Sequence, residues 1–283
     1  MLKNTFCHIP GVGPKSERRF WEKGILSWEA CLDAREPCLS RRHIKETVTS
    51  SLERFEARDL SWFMNRLAPR EHWRLFPDFR NNVAYIDIET NGFVGERGYI
   101  TAISLYDGSG VRSYVRGENL DAFKRDIEGF GLIVTYNGKC FDIPFIESHM
   151  RISLSHIPHI DLRFILKDLG LRGGLKGCEK TLGIDRGGLK GVDGYSAVLL
   201  WRDFRRNKDR KALETLLAYN AKDVVNLEPL FVKAYNMKVE ATPFAATHLL
   251  TAPELPVEPY KADAETVERI LSVQARFSAQ GAV

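Results

Sequence analysis

The sequence has no C-x-x-C pair, and its five cysteines, Cys7, Cys31, Cys38, Cys140 and Cys178, are scattered and odd in number. That pattern speaks against a disulfide framework and against a zinc site, and it makes a reducing cytoplasm the expected location. No run is long and apolar enough to span a bilayer. The opening Met1-Leu2-Lys3-Asn4-Thr5-Phe6 lacks both an apolar signal core and a small-residue cleavage site. No membrane partner is expected. Strong charge of one sign is also missing, since the formal net charge is +4 over 283 residues. Residues 1–80 hold 15 Lys and Arg against 11 Asp and Glu, and residues 163–211 hold 13 against 6. Such local excesses permit a polyanionic partner without requiring one.

The pattern of apolar residues divides the chain into three parts. Residues 1–80 read as a helical N-terminal region. Leu52, Phe55, Leu60, Phe63, Met64 and Leu67 recur at helical spacing, and Trp62 and Trp73 read as packing residues. Its opening, Ile9-Pro10-Gly11-Val12-Gly13-Pro14-Lys15-Ser16, is a glycine-bent turn before a helix that Ser16 or a neighbour caps and Gly24 ends. The turn resembles the hairpin of helix-hairpin-helix modules, which implies Gly11, Gly13 and Lys15 as phosphate contacts. A helix-entry turn with no ligand is the plain alternative.

Residues 81–238 predict a mixed sheet with helices packed on it. Strands are expected over 82–89, 99–106 and 111–116, with Asp107-Gly108-Ser109-Gly110 as a hairpin turn. A short helix over 119–129 leads to a fourth strand over 131–136, which its crossover makes parallel to a neighbour. A short apolar piece follows near 156–161, and the rest is helical. Residues 239–283 contain Pro243, Pro253, Pro256 and Pro259, and predict a loosely docked tail with a short helix over 263–277.

Two acids interrupt the first strand. Val83, Ala84, Tyr85, Ile86 and Ile88 read as buried, while Asp87 and Glu89 share one face at the two-residue period of a strand. Paired anions repel, and burying them unpaired is costly. Cations that prefer carboxylate oxygens, Mg²⁺ or Mn²⁺, would account for them. So would a strand end at which both acids reach water. Asp142, in Asn137-Gly138-Lys139-Cys140-Phe141-Asp142, sits at a strand-to-helix junction that favours an anion, where a capping role also suffices. Tyr219 and Asp223 stand four apart on a late helix and share a face, where they could simply hydrogen-bond.

Together these segments, Asp-x-Glu, Asn-x-x-x-Phe-Asp and Tyr-x-x-x-Asp, resemble the motifs of the DEDD superfamily of 3′→5′ exonucleases, in its tyrosine-bearing branch. The resemblance covers about residues 82–235. It extends to His159-Ile160-Asp161-Leu162-Arg163 and to Leu175-Lys176-Gly177-Cys178-Glu179-Lys180-Thr181-Leu182-Gly183-Ile184. With the turn at residues 8–25, the chain also resembles the bacterial YprB-like subgroup of ribonuclease H-fold proteins.

The resemblance implies an α/β, ribonuclease H-like fold and hydrolysis of a single-stranded or frayed nucleic acid, DNA or RNA, from its 3′ end. It implies that Asp87, Glu89, Asp142 and Asp223 hold two divalent ions, Mg²⁺ or Mn²⁺, with Tyr219 orienting the attacking water. Thr90, Asn91, Asn137 and Phe141 are the implied contacts to the terminal nucleotide, with fixing of the turn as the alternative for Asn137 and core packing for Phe141. Lys176, Lys180 and Arg186 are candidates for the strand's phosphates. Removing Asp87 or Asp223 is expected to abolish activity and to raise stability without metal, because the acids repel. A nucleic-acid-binding or scaffold module, and a two-metal endonuclease on the same fold, are the competing readings.

Overall fold

The first strand fails to alternate because both of its faces are covered. In the computed structural model, which describes residues 1–35, 42–93 and 95–280, β1 (Val83–Thr90) lies at the centre of a five-stranded sheet. Cys38 and Val94 lie outside the described residues. The other strands are β2 (Ile100–Tyr106), β3 (Val111–Val115), β4 (Leu132–Thr135) and β5 (His159–Asp161), in the order β3-β2-β1-β4-β5. β1 runs antiparallel to β2 and parallel to β4, and β4 runs parallel to β5. The expected meander and the expected parallel fourth strand are both present. The short apolar piece near 156–161 is the fifth strand.

The helices in chain order are α1 (Pro14–Glu22), α2 (Trp28–Asp33), α3 (Arg42–Glu56), α4 (Leu60–Met64) and α5 (Phe76–Phe79). Then come α6 (Phe123–Asp126), α7 (Asp142–Met150), α8 (Leu162–Asp168), α9 (Gly174–Thr181) and α10 (Gly194–Asn207). The last three are α11 (Arg210–Glu240), α12 (Ala245–His248) and α13 (Ala264–Gln280). The chain forms two compact units. One holds residues 1–81, 164–171 and 231–252, and the other holds 82–163, 172–230 and 253–283.

The division between the units runs after residue 81 and again after residues 163, 171, 230 and 252. The long helix α11 carries two apolar sets. Phe231 stacks on Phe76 at 3.8 Å and Tyr235 packs on Trp73 at 5.8 Å, which draws residues beyond 230 into the N-terminal unit. The C-terminal stretch is also more firmly placed than a loose tail. Asp263 caps α13 by accepting from Thr266 N at 3.0 Å, and Val267 and Ile270 are buried in one cluster with Leu216 and Leu217 of α11. Isolated prolines conceal that docking in the sequence, because they precede the amphipathic helix and do not interrupt it.

In the N-terminal unit the N-cap of α1 is Gly13, with Pro14 at the first helical position, and not Ser16. Gly24 follows the helix end with φ +80°, where a side chain would be strained. Buried Glu17 accepts from Thr5 Oγ1 at 2.6 Å, Phe6 N at 2.8 Å and Arg74 Nη2 at 2.8 Å, so the turn is held from inside. Trp62 packs against Phe63 and His8, as a packing residue should.

In the sheet unit, side chains divide by parity. Ala84, Ile86 and Ile88 enter a core with Ile103, Phe123 and Ile146. Asp87 and Glu89 point the other way, toward the side on which α10 packs β1 and α11 arrives. The β1–β2 register slips between Glu89 and Thr90, so the ladder is disrupted just beyond the acids.

Candidate active site

Three elements bring the carboxylates together. β1 supplies Asp87 and Glu89, the start of α7 supplies Asp142, and α11 supplies Asp223. One oxygen from each of Asp87, Glu89 and Asp223 lies within 4.8 Å of the others. Asp142 lines the same cavity without joining that trio. Its Oδ1 accepts from Ile88 N at 3.1 Å, which ties α7 to the backbone between the two strand acids. Glu89, Asp142 and Asp223 are 8%, 4% and 5% exposed, so the charges stand at the floor of the cavity and not on a solvated rim.

The turn that delivers Asp142 is tightly determined. Asn137 has φ +66°, a left-handed conformation that asparagine tolerates better than most residues. A side chain on Gly138 would lie 2.3 Å from Thr135 Oγ1, so only glycine fits. Asp161, at the end of β5, accepts from Asn137 N, Lys139 N and Arg163 N at 2.8, 3.1 and 3.0 Å. The Asp-Leu segment noted in the sequence therefore serves as a buried anchor for the Asp142 turn.

Electrostatics follow from the crowding. Removal from water, and then Asp142, Asp223 and Glu89, push the Asp87 carboxyl well above its usual range. Glu89 is raised by burial and by Asp223, against the pull of Lys176. Burial raises Asp142 to about 7, although the N–H groups of Ile88 and of its own backbone oppose the shift. Tyr219 lines the cavity, and burial followed by Asp223 and Glu89 raises its phenol above its ordinary value. At neutral pH that hydroxyl stays protonated.

Two partners of these acids were not expected. Asn220 Nδ2 donates to Asp87 Oδ2 at 2.7 Å. Arg186 bonds Asp223, and its other terminal nitrogen bonds both oxygens of buried Glu179 at 2.9 and 2.7 Å. Asn226 closes the group by donating to Glu179 Oε1 at 2.7 Å. Burial works against charge on Arg186, but Asp223 and Glu179 outweigh it and hold the guanidinium above its usual value. Arg186 is thus committed to two carboxylates inside the site. A mid-helix asparagine beside Tyr219 was the available signal for Asn220. Arg186 gave none, because its loop position shows no periodicity.

The remaining expected contacts separate. Thr90, Asn137 and Phe141 line the cavity of about 740 Å³ that holds the acids, and Phe141 is exposed. Tyr195, missed in the sequence, lines it as a second exposed ring. Asn91 is corrected. It is buried, gives its amide nitrogen to Arg97 O at 2.8 Å, and accepts from Tyr99 N at 3.0 Å, so it braces the loop after β1. Lys176 also lies outside that lining. Its ammonium donates to Val192 O and sits 4.7 Å above the Tyr219 ring. Lys180 is exposed beside a neighbouring groove. Gly11, Gly13 and Lys15 are exposed at the start of α1. A short 3₁₀ helix, Leu2–Asn4, lies ahead of that hairpin.

The residues fit a hard divalent ion. The ligand set is all oxygen, and Asp87 and Glu89 hold raised carboxyls with no ion pair of their own among the described residues. Against this frame the comparisons decide the family, since the profile of the RNase H superfamily matches residues 84–235. The chain belongs to the RNase H superfamily. The Bacillus subtilis protein YprB is 28% identical over 174 residues, which is 54% of this chain and 42% of that protein. The chain thus spans less than half the length of this curated relative. The family B DNA polymerase of the hyperthermophilic archaeon Pyrobaculum calidifontis is similar over 60% of this chain and 27% of its own. The match has 16% identity and a TM-score of 0.44, too distant to bear on function. Among the described residues no helix is long and apolar enough to cross a membrane.

Proposed function

We propose that this RNase H superfamily domain is a metal-dependent 3′→5′ exonuclease that removes nucleoside 5′-monophosphates from a single-stranded or frayed end. The observation that carries the reading is the approach of Tyr219 and Asp223, four apart on α11, to Asp87 and Glu89 on β1, in one cavity with Asp142. A binding module has no use for four acids at the floor of a cleft, because they repel a polyanion.

Asp87, Glu89 and Asp223 would hold one divalent ion, Mg²⁺ or Mn²⁺, with Asp142 contributing to a second. When bound, such ions offset the charge of the scissile phosphate and of the departing 3′-oxygen and acidify the attacking water. The chain supplies the rest. Asn220 fixes the Asp87 carboxylate through its 2.7 Å bond. The Tyr219 hydroxyl, kept protonated by its neighbours, orients the water by donating or accepting a hydrogen bond. The exposed rings of Phe141 and Tyr195 offer stacking faces to the terminal base, which is worth ~1–3 kcal/mol per base. Hydrolysis then adds hydroxide to phosphorus and a proton to the 3′-oxygen of the shortened strand.

The test is a 5′-labelled single-stranded oligonucleotide, DNA and RNA in parallel, incubated with Mg²⁺ or Mn²⁺. The wild type should shorten at least one of them in single-nucleotide steps, and Asp87→Asn should not. Equal degradation by Asp87→Asn would exclude this site.

A further inference from the structure

We propose that α10 continues the candidate active site as a track for the phosphates of the strand upstream of its 3′ end, carried by Arg202, Arg205 and Arg206. The inference rests on the nuclease reading of the acidic cavity and names a surface that reading does not contain.

The argument starts from the helix. Gly194, Tyr195 and Val198, in its first turns, line the acidic cavity. Leu199, Arg202, Arg205 and Arg206, in its later turns, line a second cleft of about 930 Å³. Tyr195, Val198, Arg202, Arg205 and Arg206 follow one another at steps of three, four, three and one, so they form a single stripe along one side of the helix. From Tyr195 to Arg206 is about 16 Å at the helical rise of 1.5 Å per residue, a reach of several nucleotides. The loop after β1 lies close to both clefts. Gly92 lines the acidic cavity, and the guanidinium of Arg202 lies 5.9 Å from the exposed ring of the next residue, Phe93.

Charge in the second cleft is unevenly used. Its acid, Asp203, is paired with Arg269 at 2.7 Å, and Arg269 also holds Asp209 at 2.8 Å. Arg202, Arg205 and Arg206 are exposed, and no ion pair among the described residues includes any of them. Arg202 and Arg205 are positioned instead by rings, Phe93 and Trp201, both at 5.9 Å. Three exposed guanidiniums on one helix stripe repel each other, and this arrangement suits a polyanion. Its continuity with a cavity that holds four acids and two stacking rings selects a nucleic-acid strand over an acidic protein. The acids would repel any anion that brought no cation, whereas a strand with its terminal phosphate held by divalent ions meets arginines further along.

Binding of 5′-fluorescein trimer and dodecamer, DNA and RNA, is measured in EDTA for the wild type and for Arg202→Gln/Arg205→Gln/Arg206→Gln. The wild type should favour the dodecamer. The variant should lose at least tenfold in dodecamer affinity with little change for the trimer. Its log–log salt slope should fall by about two, at ~0.7 per single-strand phosphate. A charge-matched control, Arg70→Gln/Lys233→Gln/Lys261→Gln, should keep the wild-type slope. Hydrolysis of thymidine 5′-p-nitrophenyl phosphate with Mn²⁺ reports the acidic site separately and should be unchanged in the triple arginine variant, as should its melting temperature. An unchanged slope in the arginine variant, or an equal fall in the control, overturns the track whether or not the small ester is cleaved. Absence of ester cleavage in the wild type counts against the site reading alone.

Discussion

Arg186 joins Asp223 and Glu179, one terminal nitrogen of its guanidinium on each carboxylate. It places a fixed positive charge beside one of the three acids best placed to hold a divalent ion. Breaking a buried pair by removing one member costs ~3–5 kcal/mol because the other charge is stranded. Arg186→Gln should therefore lower the melting temperature in EDTA, and Mn²⁺ should raise it by more than in the wild type, because no arginine competes for Asp223. Scanning calorimetry with and without Mn²⁺ reads both. A variant less responsive to Mn²⁺ than the wild type would contradict this role.

The same pair separates two substitutions that the sequence treats alike. Asp87→Asn relieves repulsion without leaving a cation unpaired, and should stabilise the protein in EDTA. Asp223→Asn strands Arg186 and should destabilise it, reversing the gain expected from repulsion alone. Because folding raises the carboxyl pKa values of Asp87, Glu89 and Asp142, their contribution to stability is present below about pH 4. It is lost as pH rises through the folded values, with Asp142 at about 7. Wild type in EDTA should lose stability from pH 5 to 8, and Asp87→Asn should lose less. Denaturant midpoints across that range provide the check.

Asn220 holds the Asp87 carboxylate by donating to it at 2.7 Å, which under the proposed function makes it an outer partner of a metal ligand. Substitutions of such outer partners cost about 10–100-fold in metal affinity or activity. Asn220→Ala should show that loss as a higher Mn²⁺ concentration for half-maximal activity, and Asn220→Asp should not restore it, since a fifth acid adds repulsion. Manganese titrations of the three proteins distinguish the cases.

His8 is a separate test in the N-terminal unit. Burial lowers its pKa to about 3, and its Nε2 meets Ser51 Oγ at 2.7 Å beside the Trp28 ring at 5.4 Å. A depressed folded value means the unfolded chain takes the proton first. The neutral imidazole's contribution is complete above about pH 6.5 and is lost on acidification. Its share of the loss at pH 5 is about 2 kcal/mol. His8→Gln should remove that share of the acid sensitivity, read by tryptophan fluorescence during urea unfolding at pH 7 and pH 5.

Much of the site was legible because its residues defy their local environment. Asp87 and Glu89 interrupt an apolar strand, and Asp223 interrupts an apolar helix, so each advertises a cost that something else must offset. The sheet was legible for a different reason, since its strands are short apolar runs separated by turns. What stayed hidden depends on contacts between distant segments. Arg186 reaches Asp223 across 37 positions and Asn220 reaches Asp87 across 133, and neither spacing has a periodic signature. Asn91 follows the Asp-x-Glu strand, and the use of its amide by its own loop has no sequence signature. The long helix α11 hid a boundary, because one continuous helical pattern serves two cores.

The proposal stands most directly on polarity and on the need for an end. A 5′-labelled linear oligonucleotide and a covalently closed circle of the same sequence, incubated with Mn²⁺ and the wild type, should give opposite results. The linear strand should shorten one nucleotide at a time while its label stays on the longest species, and the circle should persist. Cutting of the circle at a comparable rate, or early release of the labelled 5′ nucleotide, would contradict 3′→5′ exonuclease action.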